Sequence, residues 1–166
     1  LTLGGGSSMP TEVGDIGDSG TRLPRIARSI IIPVSTRPAP ESPMDRSVNV
    51  FGEPLEDCNQ DPVTGFFRDG CCNTSDQDLG SHTVCVRVTK EFLEFSASRG
   101  NDLSTPHPEF EFPGLKPGDR WCLCAARWAE AYQHGMAPRV MLKSTHARAL
   151  EVVPLSVLRK YAADLN

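Results

Sequence analysis

The sequence predicts a small α+β domain with a mostly antiparallel sheet, two or three helices and long ordered loops, preceded by an extended N-terminal arm. Three observations lead to this prediction. All aromatic residues and all six cysteines of the 166-residue chain lie in residues 48–166, and residues 1–47 contain none. Within residues 48–166, short β-branched segments alternate irregularly with short amphipathic segments. Two long stretches rich in turn-forming residues, 57–81 and 101–119, separate them.

The elements of the domain follow in chain order. The segment VNVF at 48–51 predicts a short first strand, and HTVCVRV at 82–88 predicts a second, because its residues alternate and are β-branched. Thr89 is suited to cap a helix over 90–99, which Gly100 would close. The remaining predicted elements are a strand at 121–126, a helix at 127–134, strands at 138–143 and 151–153, and a helix that Pro154 opens and that ends near 164.

Residues 1–47 form a neutral arm in which 19 of 47 positions are Gly, Pro or Ser. Such a segment buries too little apolar surface to offset backbone ordering, which costs about 1–2 kcal/mol per residue. We therefore expect the arm to order on a protein partner; alternatively it packs along its own domain, with 30–34 as an edge strand. The residues expected to bind the partner are Arg22, Arg25, Ile30, Ile31, Ile32 and Arg37.

Composition and charge exclude several classes of protein. With 39% hydrophobic residues and a net charge of −4, the chain has the composition of one ordinary soluble domain. No apolar run approaches the roughly 18 residues that a membrane span needs. A pI near 5.5 gives no electrostatic footprint for direct nucleic-acid recognition. The GxGxxG, GxxxxGK[ST], HExxH and GxSxG motifs do not occur, which argues against the common nucleotide, zinc-protease and α/β-hydrolase sites.

The six cysteines are the sharpest chemical feature of the sequence. No export signal is visible, so we expect reduced thiols. Cys122 and Cys124 would share one face of a strand, close to the His82-x-x-Cys85 segment, which suggests a tetrahedral zinc site. The alternative is that these cysteines are small core residues, since the usual Cys-x-x-Cys knuckle is missing. The candidate metal ligands are Cys72, His82, Cys85, Cys122, Cys124 and His146.

A thiol nucleophile is a second hypothesis, although the sequence assigns no catalytic residue firmly. Cys71 or Cys72 follows the polar turn 68–70, where a nearby cation could activate a thiol, and His82 or His146 could act as the base. The segment GNDLSTP at 100–106 could bind an anion or simply form an Asx-turn.

Several long strings resemble a bacterial family known as domain of unknown function 2237. The strings are DPVTGFFRDGCC at 61–72, GSHTVC at 80–85, GNDLSTP at 100–106, FPGL at 112–115, PGDRWCLC at 117–124 and TH at 145–146. The resemblance covers residues 48–164 and leaves the arm outside. It implies a compact intracellular domain with its signature on the loops and the cysteine-rich strand, and it brings no activity, cofactor or catalytic residue with it.

Two functions from different classes follow from these observations. The first is an accessory subunit of a large organellar assembly in a mitochondrion or chloroplast, such as a respiratory or photosynthetic complex or a ribosome. Its arm would anchor it to other protein subunits, and no cofactor is expected. The second is a small thiol- or metal-dependent enzyme, or a metal-binding module, that uses the Cys/His cluster with zinc as the metal. The bacterial-type domain with an added arm favours an organellar location, soluble or peripheral to a membrane complex.

Overall fold

A computed structural model describes residues 47–165 of the chain, and these contain one antiparallel sheet. The strands are β1 (His82–Arg87), β2 (Arg120–Cys124) and β3 (Arg139–Val140), and their order in the sheet is β2-β1-β3. Because β1 is the central strand, four consecutive residues of it are buried, as expected where both faces of a strand are covered. The predicted α+β class with an antiparallel sheet is confirmed.

Three α-helices accompany the sheet in the described part of the chain. The first begins after Thr89 as predicted, because the Thr89 hydroxyl accepts a hydrogen bond from the backbone N–H of Phe92 at 3.1 Å. The second follows β2 with no connecting loop, and the third begins directly after Pro154. The helices are α1 (Lys90–Ser98), α2 (Ala125–Gln133) and α3 (Leu155–Lys160); short 3₁₀ turns occupy Pro108–Phe110, Leu142–Ser144 and Ala147–Glu151. None of the described helices has the length and apolar character to cross a membrane.

The main core is built around Trp128 of α2. This side chain is fully buried, and its Nε1–H donates to the carbonyl of Pro138 at 3.2 Å. The rings of Tyr132 and Tyr161 pack against it at centroid distances of 5.6 and 5.4 Å. The tryptophan therefore anchors α2 to the chain on either side of β3, as its size and single polar atom suit it to do.

Three predicted strands differ from the structure. Within 48–51, Val48 and Asn49 form only isolated bridges, and the chain turns at Val50 and Phe51 because the side-chain oxygen of the buried Asn49 accepts the backbone N–H groups of Phe51 and Glu53. The strand predicted at 138–143 is shortened to β3, and that predicted at 151–153 does not form.

Side-chain acceptors explain the other two differences. The Asp164 carboxylate accepts the N–H groups of Leu142 and Lys143, at 2.9 and 2.8 Å, so these amides do not join the sheet. The His146 ring accepts the N–H of Arg148 at 3.0 Å and starts a 3₁₀ turn that ends at Glu151.

The two long loops are ordered and pack against β2. In the first, Gly70 N–H donates to the carbonyl of Thr64, and the Thr64 hydroxyl accepts the N–H of Cys122 at 2.8 Å. In the second, Leu115 N–H donates to the carbonyl of Leu103 at 2.7 Å. The loops thus flank one strand and form the walls of the candidate site.

Candidate active site

A histidine–carboxylate pair lies at the start of β1. His82 Nδ1 is 2.6 Å from Asp78 Oδ1, and the backbone N–H of His82 donates to Asp78 Oδ2 at 2.8 Å. The Thr74 hydroxyl donates to the same Oδ2 at 3.0 Å. The Asp78 side chain has no exposed surface, whereas 42% of the His82 side chain is exposed. Because an ionised carboxylate only accepts hydrogen bonds, Nδ1 carries the proton, and in the neutral ring the Nε2 lone pair is available.

Asp78 is ionised although it is buried. Burial raises the pKa of this carboxyl, but the hydrogen bonds from the side chain and backbone of His82, its charge and the Thr74 hydroxyl outweigh it. The net result holds the pKa of Asp78 below its ordinary value of 3.8. At neutral pH a fixed negative charge therefore orients the His82 ring.

The position of the His82 ring depends on two further residues. A Cβ atom at Gly80 would lie 2.6 Å from Cε1 of the ring, so any side chain at this position would displace it. On the other side, the Phe66 ring is stacked on the imidazole at 19° and a centroid distance of 6.5 Å. Gly80 thus leaves room for the imidazole, and Phe66 limits the movement of the imidazole.

Two clefts, each of about 210 Å³, meet at His82 and Trp121, which line both. The remaining lining residues come from β2, from the two long loops and from the first turn of α2. They are Asn101, Leu103, Leu123, Cys124 and Arg127 in one cleft, hereafter the thiol cleft, and Gly65, Phe66, Arg68 and Cys122 in the other, hereafter the arginine cleft.

Cys124 carries the free thiol of the thiol cleft. It is half-buried and lies opposite His82 in the β1–β2 register, next to a β-bulge. Both residues line the thiol cleft. In the described part of the chain, no hydrogen bond joins the two side chains. Cys124 is also the N-cap residue of α2, although its side chain makes no capping hydrogen bond, and the helix dipole favours negative charge at this end.

Arginines border both clefts. Arg127 Nη1 donates to Glu130 Oε2 at 3.2 Å and to the carbonyl of Arg99 at 3.3 Å, which fixes the guanidinium at the edge of the thiol cleft. The Arg68 guanidinium lies 5.5 Å from the centroid of the Trp121 ring. An arginine therefore borders each cleft, and the charge of Arg127 is paired with Glu130.

Four of the six cysteines form disulfides, Cys58–Cys85 and Cys72–Cys122. The expectation of reduced thiols is therefore corrected for these four, which the fold brings together in a buried cluster with Met141. The sequence analysis reasoned from the missing export signal, whereas the pairing depends on contacts between residues 27 and 50 positions apart.

The structure gives no support to Cys71 or Cys72 as nucleophile. Cys72 is bonded and fully buried. The Cys71 thiol donates to Asp57 Oδ1 at 3.0 Å, and burial together with this hydrogen bond raises the pKa of Cys71 to about 12. Cys71 is thus a protonated thiol at neutral pH, although the turn before it is polar as expected.

The predicted metal ligands are distributed over three places. Cys72, Cys85 and Cys122 belong to the buried cluster, while His82 and Cys124 line the thiol cleft. His146 caps the 3₁₀ turn Ala147–Glu151, and burial and the charge of Arg148 lower the pKa of the imidazole. Within the described residues, the one group of three potential ligands within 4.8 Å is Cys58, Cys72 and Cys85.

The sequence analysis missed two participants and left one alternative open. Asp78 precedes His82 by four residues in a turn-rich segment, and this Asp-x-x-x-His spacing was the available signal. Cys58 was not included among the ligands.

In segment 100–106, the Asp102 carboxylate accepts the N–H groups of Ser104 and Thr105, so this segment is an Asx-turn. The residues predicted to bind a partner, all between 22 and 37, lie outside the described residues.

Residues 48–162 match the model of a family described as an uncharacterized protein conserved in bacteria, DUF2237. The chain belongs to this family. The resemblance identified from the sequence strings is confirmed, and most residues that line the two clefts lie in those strings. No curated protein matches the chain.

The family corrects the predicted location. A mitochondrial or plastid location was inferred from a bacterial-type domain with an added arm, and this inference was wrong, because a family conserved in bacteria points away from an organellar origin. For the same reason, the predicted role as a subunit can no longer be assigned to an organelle.

Proposed function

We propose that this domain is a small thiol-dependent enzyme that catalyses acyl transfer or hydrolysis. Cys124 is the nucleophile, His82 the general base and Asp78 the residue that positions His82. One observation carries the proposal: a free thiol stands opposite a histidine whose far nitrogen is held by a buried, ionised carboxylate. Nucleophilic catalysis requires a nucleophile, a base next to it and a third group that orients the base.

The reaction divides into two steps. In the first, His82 Nε2 takes the thiol proton while the sulfur of Cys124 bonds to the acyl carbon, and the His82 proton then passes to the leaving group as its bond to carbon breaks. In the second, His82 takes a proton from water as the hydroxyl adds to the acyl carbon; the C–S bond then breaks, and His82 returns the proton to the sulfur. No oxidant, reductant or metal is needed for either step.

The surroundings of Cys124 support the same chemistry. The N-terminus of α2 favours negative charge in the thiol cleft, first on the sulfur and then on the oxygen of a tetrahedral intermediate. Apolar walls from Leu103, Leu123 and Trp121 provide a surface for the acyl group. A cleft of about 210 Å³ suits a small substrate.

The proposal can be tested by trapping the acyl-enzyme. The full chain is incubated with p-nitrophenyl acetate, release of nitrophenolate is followed in a single turnover, and the intact mass and peptide map locate the acetyl group. We expect one acetyl group on Cys124, with a rate that falls by about 10²-fold or more in His82→Gln. Iodoacetamide should modify Cys124 near neutral pH.

Cys71→Ser is the matched control, because Cys71 is the other free cysteine of the described chain and is also half-buried. This variant should acylate as the wild type does, and Cys124→Ser should not. Acetylation that maps elsewhere, or a rate that does not respond to His82→Gln, would contradict the proposal.

The role as an arm-anchored subunit stays a prediction without its organellar setting. It depends on the arm, residues 1–47, whereas the residues of the proposed catalytic site all lie in the described part of the chain. A comparison of native mass with and without the arm tests it separately from the acylation assay.

A further inference from the structure

The buried cysteine cluster holds four sulfur atoms in one place. Cys58, Cys72 and Cys85 have Sγ atoms that all lie within 4.8 Å of one another, and the Cys122 sulfur is bonded to that of Cys72. The exposed fraction of each of the four residues is 2% or less. We infer that these cysteines, when both disulfides are reduced, form a tetrahedral zinc site.

The distances make this conversion a local one. In a tetrahedral tetrathiolate site with Zn–S bonds of about 2.3 Å, neighbouring sulfurs are about 3.8 Å apart. On reduction, each bonded pair of sulfurs separates from about 2.0 Å. The Cys72 sulfur approaches those of Cys58 and Cys85 from within 4.8 Å. The Cys122 sulfur lies outside this group of three, so its side chain turns towards Cys58 and Cys85 once its bond to Cys72 is broken.

Backbone hydrogen bonds hold three of the four ligands in addition to the disulfides. Cys85 and Cys122 are directly opposite each other in the β1–β2 register. The N–H of Cys85 donates to the Thr145 hydroxyl at 3.2 Å, and the N–H of Cys122 donates to Thr64 Oγ1. Cys58 is held by a hydrogen bond from its N–H to the carbonyl of Gly70 at 2.8 Å. Reduction therefore leaves the thiols gathered at one point, which lowers the entropic cost of binding an ion.

Formation of the zinc site requires reduction of both disulfides and then loss of the thiol protons. Two molecules of a water-soluble phosphine and two of water convert the two disulfides into four thiols and two phosphine oxides. Zn²⁺ then binds the four sulfurs as thiolates and displaces four protons. This ligand set differs from the one predicted from the sequence, since it includes Cys58 and excludes His82, Cys124 and His146. It is also separate from the acyl-transfer site, because neither free cysteine takes part.

The test uses the full chain reduced anaerobically with the phosphine and titrated with Co²⁺ and then Zn²⁺. We expect one Co²⁺ per chain with the intense visible bands of a tetrahedral tetrathiolate, and replacement by one equivalent of Zn²⁺. The unreduced chain should bind neither ion at this site. Less than about a tenth of an equivalent bound after complete reduction, or an octahedral cobalt spectrum, would overturn the inference.

Variants identify the ligands. Cys58→Ser should lose the tetrathiolate spectrum, while the double variant Cys71→Ser/Cys124→Ser, which keeps all four buried cysteines, should bind one Co²⁺ and release four protons. If Cys58→Ser does not fold, the double variant still decides, because it contains no cysteine outside the cluster. Retention of acylation by the wild type alongside a failed titration would overturn only the zinc site.

Discussion

Replacing Asp78 by Asn tests the core of the proposed site. Asn has almost the same shape, but it offers one acceptor oxygen and one donor group where the carboxylate accepts from the His82 N–H, His82 Nδ1 and the Thr74 hydroxyl. All three hydrogen bonds therefore lose their charge assistance, and one N–H of the buried amide is left without a partner. At about 1–3 kcal/mol for such a group, we expect the free energy of unfolding to fall by about 2–4 kcal/mol.

The same change inverts the His82 tautomer. The amide N–H₂ introduced by the Asp78→Asn substitution would donate to Nδ1, so the ring proton would move to Nε2 and the lone pair that faces the thiol cleft would be lost. We expect the single-turnover acylation rate of folded Asp78→Asn to fall by about 10²–10⁴-fold. Urea denaturation gives the stability, and the nitrophenolate assay gives the rate under conditions where the variant is fully folded.

Thr74→Val is the matched control, because it removes one hydrogen bond to the same carboxylate and leaves both His82 contacts intact. It should cost about 1 kcal/mol of stability and leave the rate unchanged. Equal rates in wild type and folded Asp78→Asn, or equal rate losses in the two variants, would refute the reasoning.

The dependence of stability on pH provides a further test of the Asp78 carboxylate. The pKa of Asp78 is lower in the folded chain than its ordinary value of 3.8, so the folded state favours the ionised form. Its stabilisation is therefore complete above pH 3.8 and is lost as the pH falls through the lower pKa of the folded state. The difference in stability between wild type and Asp78→Asn should shrink over this acidic range.

Three other predictions concern the ring, the second free thiol and the core. Gly80→Ala should slow acylation because it displaces the His82 ring, and in a His82→Ala background the same substitution should have no further effect on the residual rate, a double-mutant cycle that a general loss of stability would not reproduce. In Asp57→Asn, the pKa of Cys71 should fall from about 12, because the thiol loses a charged acceptor, and alkylation of Cys71 at pH 9 should become faster, as a peptide map would show. Trp128→Phe should lower the free energy of unfolding by about 2 kcal/mol, through the lost hydrogen bond to Pro138 and the smaller ring, without changing the acylation rate.

Local patterns in the sequence were sufficient to predict β1 and the α-helices. The alternation of residues 82–88 and the Thr89 cap each involve only a few neighbouring positions, so both can be recognised in the sequence itself. The failed strands have a different origin: Asn49 and Asp164 divert backbone N–H groups from a sheet, and Asp164 does so from 22 positions away. Periodicity does not encode such a competition between a side chain and a strand.

The candidate site could be predicted only in part, because it too depends on contacts that local patterns do not show. The sequence places His82 and Cys124 on neighbouring strands, and both were recognised as chemically relevant. Their face-to-face position requires the β1–β2 register and its bulge, which residue types do not specify. The pairing of Cys58 with Cys85 is equally hidden, because four or more cysteines admit several connectivities.

The loop 57–81 connects the two sites that we propose. It supplies Cys58 and Cys72 to the sulfur cluster and Asp78 to the His82 ring, and the disulfides fasten it to β1 and β2. In a chain-entropy model, cross-links that close loops of 27 and 50 residues contribute about 4 kcal/mol each. Because Asp78 lies only six residues beyond Cys72, the order of its carboxylate depends on that fastening. A bound zinc ion would replace the covalent links with four Zn–S bonds at the same points, so the loop would stay in place in both redox states.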